Sequence, residues 1–143
     1  MKTLACLLLL KSTLAVAAPP CPAAITSAID KRFPKSVVKA CKAEREHDKD
    51  QYEVVLTKAD GGRVEVDLSS AGDILQTEEV VPLDKVPAAV TKAFAAKYPK
   101  AKATRAEKQT PATGKVSYEL AFDASGKRKE ATFDEDGVFV EEE

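Results

Sequence analysis

The sequence predicts an α+β fold made of two tandem repeats, each with one N-terminal helix packed on a roughly four-stranded antiparallel sheet. The first observation is self-similarity at an offset of 65 residues: segment 22–35 aligns without gaps on 87–100, and 52–54 aligns on 118–120 after a one-residue shift. The second is that the hydrophobic pattern of each copy changes from helical spacing to alternation. Similarity sustained over such a length indicates a duplicated structural unit.

Each copy begins with a short amphipathic helix. Apolar residues recur at helical spacing, and each run is opened and closed by a proline, which favours the first turn of a helix and cannot continue its interior. These positions are Ile25, Ala28, Ile29 and Phe33 in the first copy, and Val90, Ala93, Phe94 and Tyr98 in the second.

Antiparallel strands follow each helix. Tyr52, Val54 and Leu56 alternate with Gln51, Glu53 and Val55, and Val64, Val66 and Leu68 alternate with Arg63, Glu65 and Asp67. This alternation predicts strands with one buried face and one solvent-exposed face. Turn sequences with glycine separate the strands. They are 60–62 and 70–72 in the first copy, and 124–126 and 135–137 in the second. Whether the two copies form one sheet or two is left open by the sequence.

The N-terminus has the pattern of a secretory signal peptide. A basic start at Lys2 precedes the apolar run Leu4 to Leu10, and Ala15 and Ala17 supply the small residues of a cleavage site. We therefore predict three segments: a signal peptide at 1–17, a first repeat at 18–81 and a second at 82–143. The mature chain is expected to be periplasmic or secreted, with no membrane association after cleavage.

Two cysteines are predicted to form a disulfide. Cys21 precedes the first helix, and Cys41 lies about five residues into the following strand, which folds back toward the helix start. A bridge there closes a loop of about 20 residues and stabilises the fold by about 3 kcal/mol. At the matching positions the second copy has Val86 and Ala106.

Charge and composition exclude several classes of function. Without Lys2 and Lys11 the mature chain has 20 basic and 23 acidic residues, which argues against nucleic-acid binding. There is one histidine, His47, in a charged stretch typical of a solvated turn, and there is no tryptophan. No catalytic residue, cofactor site or metal site is predicted, and the chain is not expected to be an enzyme.

The solvent-exposed face of the sheet is the candidate site. An open antiparallel sheet presents its polar side chains together, as a surface for an unknown protein partner. The partner-binding candidates are Glu53, Arg63, Glu65, Asp67, Glu119, Arg128 and Glu130. The alternative is a small-ligand or cation-binding envelope protein that uses acidic strand and turn residues, above all Asp134 and Asp136.

The helix and turn motifs of the second copy resemble those of the PepSY-like family, which is named as beta-lactamase-inhibitor-like. The resemblance rests on 86–90, 93–94, 97–99, 118–120 and 133–137, with a weaker version in the first copy. It implies a small exported bacterial protein with a helix-plus-sheet fold, similar to inhibitor proteins and to the PepSY modules of peptidase propeptides. We accordingly expect a non-enzymatic binding protein that restrains a peptidase or another envelope enzyme through its exposed sheet face.

Overall fold

The computed structural model describes residues 21–46 and 48–143, and the predicted signal peptide and His47 lie outside them. The chain has two α-helices, eight strands and one 3-10 turn at Leu83–Lys85. In chain order the elements are α1 Ala23–Arg32, β1 Val37–Glu46, β2 Lys49–Thr57, β3 Arg63–Ser69, β4 Ile74–Val81, α2 Ala88–Lys97, β5 Ala103–Pro111, β6 Ser117–Ala124, β7 Lys127–Asp134 and β8 Phe139–Glu142. The α+β class is confirmed.

Both helices end in the same way. The backbone N–H of Phe33 donates to the carbonyl of Ile29 at 2.7 Å, and that of Tyr98 donates to the carbonyl of Phe94 at 2.8 Å. Prolines follow these aromatic residues and prevent further helical turns. Each helix has ten residues, and within the described part of the chain no helix is long and apolar enough to cross a membrane.

The eight strands form one antiparallel sheet whose spatial order is the chain order, β1 to β8. The question left open by the sequence is therefore settled in favour of a single sheet. Strands β4 and β5 join its two halves, with Thr77 opposite Thr110 and Val81 opposite Ala106. Residues 80–81, at the predicted end of the first repeat, belong to β4, because they pair with β5.

Two hydrophobic clusters lie on one face of this sheet. Ile25 and Ile29 of α1 are fully buried with Val54, Leu56, Val64, Val66 and Leu68. Val90 and Phe94 of α2 are buried with Leu120, Phe122, Ala131 and Phe133. Cross-strand partners share a face, and the partners Val64, Glu79, Lys108, Tyr118 and Phe133 link the two clusters across β3 to β7. Both helices therefore cover the same side.

Two glycines allow the sheet turns to approach the helices. Gly72 and Gly137 have φ of +91° and +84°, the left-handed region that glycine adopts without strain. A Cβ at Gly72 would lie 2.8 Å from the carbonyl oxygen of Ala24, and one at Gly137 would lie 2.6 Å from that of Ala89. Each turn is thus pressed against the first turn of a helix.

The predicted disulfide is present. Cys21 and Cys41 are bonded, with 5.7 Å between their Cα atoms. Both half-buried cysteines pack against the first hydrophobic cluster. The bond holds the start of α1 on β1.

Candidate functional site

The face of the sheet opposite the helices is the candidate site, and we call it the open face. Neither described helix packs over it, because α1 and α2 both bury their apolar side chains on the other face. Cross-strand partners extend this face over five strands: Val55 lies opposite Glu65, which lies opposite Glu78, and Glu78 lies opposite Gln109, which lies opposite Ser117. The result is a continuous, mainly polar surface that also contains Val55 and Val80.

All seven partner-binding candidates lie on the open face. Asp67 lies opposite Glu53 in the β2–β3 ladder, and Glu65, two residues before Asp67, lies on the same face of β3. Arg63 shares that side of β3 because it is two residues from Glu65. The remaining three, Glu119, Arg128 and Glu130, occupy the same face of β6 and β7.

Sequence reasoning missed the centre of this surface. Glu78 of β4 and Glu107 of β5 lie between the two predicted groups, and Arg105 lies beside them. One signal could have found Arg105 and Glu107, since they repeat the Arg-x-Glu spacing of 63–65 and 128–130. Lys42 and Glu44 form a similar ion pair on β1.

The missed residues complete a row of glutamates across the open face. The glutamate row consists of Glu53, Glu65, Glu78, Glu107, Glu119 and Glu130, one on each strand from β2 to β7. Two pairs stand directly opposite each other: Glu65 with Glu78, and Glu107 with Glu119. All six side chains are half-buried.

Burial and neighbouring carboxylates make ionisation of Glu53, Glu78 and Glu119 unfavourable. Burial, followed by the charges of Glu130, Glu107 and Glu78, raises the pKa of Glu119 to about 7. Burial is also the main cause of the raised pKa values of Glu53 and Glu78. In each case a low-polarity environment and neighbouring carboxylates disfavour the charged form.

The row has two kinds of member. On the odd strands each glutamate is paired with the arginine two residues before it: Arg63 with Glu65 at 2.8 Å, Arg105 with Glu107, and Arg128 with Glu130 at 3.0 Å. On β4 and β6 the described partners are amides, whereas Glu53 of β2 lies near Glu65 and opposite Lys42. Glu78 accepts hydrogen bonds from Gln76 at 2.8 Å and Gln109 at 3.4 Å, and Gln109 also donates to Glu119 at 3.5 Å.

In the acidic turn that the cation-binding alternative invokes, a lysine side chain already occupies the space between the two aspartates. The ammonium of Lys115 lies 3.4 Å from Asp134 and 2.9 Å from Asp136. The other carboxylate oxygen of Asp134 accepts the backbone N–H groups of Asp136 and Val138, which lowers the pKa of Asp134. Within 21–46 and 48–143 no three potential metal ligands are grouped closely enough to hold an ion.

The fold and the open face together define a class of small proteins in which two helices cover one side of a broad antiparallel sheet. A model of the family described as beta-lactamase-inhibitor-like, PepSY-like matches the sequence twice, at residues 11–76 and 50–141. The chain therefore belongs to the PepSY-like family, as its motifs predicted.

Solved structures from Bacteroides share the fold. A protein from Bacteroides eggerthii described as periplasmic superposes with a TM-score of 0.72 at 16% identity, covering 87% of this chain and 89% of that one. A BLIP-like protein from Bacteroides fragilis gives 0.68 at 22% identity, with 89% and 88% covered. A DUF2874 family protein from Bacteroides uniformis gives 0.71 at 16%, with 86% and 88% covered. No curated protein matches the chain.

Proposed function

We propose that the chain is an exported, non-enzymatic binding protein that docks its open face onto another protein and thereby restrains an envelope peptidase or another envelope enzyme. The observation that supports this most directly is the open face itself, a sheet eight strands wide whose helices lie on the other side. The inhibitor-like name of the family and the BLIP-like neighbour support the same function. The periplasmic description of the neighbour from Bacteroides eggerthii supports location in the periplasm or outside the cell.

Tandem duplication explains how so broad a face arises. The family model matches twice, and turn glycines 65 residues apart, Gly72 and Gly137, press against equivalent helix residues, Ala24 and Ala89. On this basis we assign one helix and four strands to each repeat, with β4 and β5 joining them. A single such unit would present only half of the face.

Site-specific crosslinking tests the proposal. A photoreactive amino acid at Val80, an exposed residue of the open face, is expected to give a covalent adduct with an envelope protein. The matched control carries it at Ala95, exposed on α2, where that adduct should be absent. Equal adducts at both positions, or none at Val80, would contradict docking through the open face.

A further inference from the structure

Three of the six glutamates in the row form ion pairs with arginines of this chain, and the other three do not. Glu65, Glu107 and Glu130 each pair with an arginine on the same strand. No lysine or arginine in the described part of the chain forms an ion pair within 4.0 Å of Glu53, Glu78 or Glu119, the even-strand members. Lys42 lies opposite Glu53 on β1 and attracts its carboxylate, but the ion pair of Lys42 is with Glu44 at 2.6 Å. Three half-buried carboxylates thus lack the close ion pair that their neighbours possess.

This arrangement costs stability that other polar residues at the same positions would not cost. Like charges directly opposite each other on a sheet are destabilising, and Glu78 and Glu119 each face another glutamate. Threonine or glutamine would occupy these positions without repulsion, as Thr132 and Gln109 do on the same face. Local conflicts of this kind are expected at functional surfaces.

Apolar residues adjoin the unneutralised carboxylates. Two residues beyond Glu53 and Glu78, on the same face of the same strands, lie Val55 and Val80. The residue in the matching place after Glu119 is Ala121, which is buried. Val80 is 43% exposed. Lysine and arginine side chains have the matching chemistry, since an apolar stem packs on such residues while the charged end reaches a carboxylate. The arginine-paired glutamates have no such neighbour: polar Asp67, Gln109 and Thr132 follow them.

We infer that the open face takes a partner protein whose contact surface carries lysine or arginine side chains, with their charged ends against Glu53, Glu78 and Glu119. This inference rests on the proposed function and specifies the chemistry of the partner. The other candidate occupant is a second copy of this chain, because the helix segments 22–36 and 82–102 hold eight basic and two acidic residues. Self-association is therefore an outcome that the test must recognise.

Calorimetric titration with a ten-residue lysine peptide tests the inference at about 0.15 M salt, where long-range attraction is screened. The test variant is Glu53→Gln, Glu78→Gln, Glu119→Gln. The control, Asp30→Asn, Asp84→Asn, Glu135→Gln, removes the same charge from exposed residues away from the row. Three pairs worth about 0.5 kcal/mol each predict an affinity loss of about tenfold for the test variant and less than about twofold for the control.

Three outcomes overturn the inference. They are equal losses in both variants, no binding by the wild-type chain, and concentration-dependent self-association that disappears in the test variant, which would assign the face to a second copy. A further variant, Val80→Ser, should weaken peptide binding without any change of charge. If the crosslinking experiment gives an adduct at Val80 but the wild-type chain does not bind the lysine peptide, the basic partner is refuted and the proposed function still stands.

Discussion

Replacing Glu119 with glutamine should stabilise the protein at high pH and leave its stability unchanged at low pH. The pKa of Glu119 is raised from 4.5 to about 7, mainly by burial, so between these values the folded chain holds a proton that the unfolded chain releases. The free energy of unfolding therefore falls as pH rises through this window and levels off above it. At about 1.4 kcal/mol per pKa unit the full effect exceeds about 3 kcal/mol, and we discount it to about 1.5 kcal/mol because solvent reaches half of the side chain.

The assay is urea unfolding of the wild type and Glu119→Gln at several pH values from about 4 to 8. Glutamine mimics the protonated acid, so the difference between the two should be near zero at about pH 4 and should grow to about 1.5 kcal/mol by pH 8. The control is Glu135→Gln, which removes a carboxylate from an exposed turn outside the glutamate row. A stability difference between the wild type and Glu119→Gln that is constant over the range, or that shrinks as pH rises, would refute the raised pKa of Glu119.

Three further predictions concern the fold and the acidic turn. Replacing Cys21 and Cys41 by the valine and alanine of the second copy should cost about 3 kcal/mol in urea unfolding, and no loss would contradict a stabilising role for the bond. Gly137→Ala should cost more than about 2 kcal/mol, because its Cβ meets a helix carbonyl, whereas Gly126→Ala, which meets nothing within 4 Å, should cost only about 1 kcal/mol; equal costs would show that close approach is unimportant. Calcium should not raise the Tm of the wild type, whereas Lys115→Gln should allow a small rise, and a clear wild-type shift would favour the cation-binding alternative.

The predictable parts of the fold are those in which one face is apolar. Val64, Val66 and Leu68 alternate with Arg63, Glu65 and Asp67, and all three apolar residues lie on the helix-covered side in the first cluster. Strand β4 has no fully buried residue, and β5 has only Ala106, since both run between the two clusters. No apolar period marks these strands in the sequence, and their pairing into a single sheet was therefore not foreseen.

The same reason accounts for the candidate site. The predicted residues on β2, β3, β6 and β7 were found because their strands were recognisable, and the structure places all seven on one face. Glu78 and Glu107 were missed together with their strands. Their position opposite or beside other glutamates depends on the register of β3 with β4 and of β5 with β6, which local spacing does not reveal.

The agreement between strand order and chain order has a consequence for how the molecule forms. Each ladder joins strands that are consecutive in the chain, and only β4 and β5 are separated by a helix. Folds built from contacts that are close in sequence form quickly, because little loop entropy is lost before pairing begins. Each strand can pair with an edge that its predecessor has already formed, so the sheet can grow from β1 toward β8 one neighbour at a time.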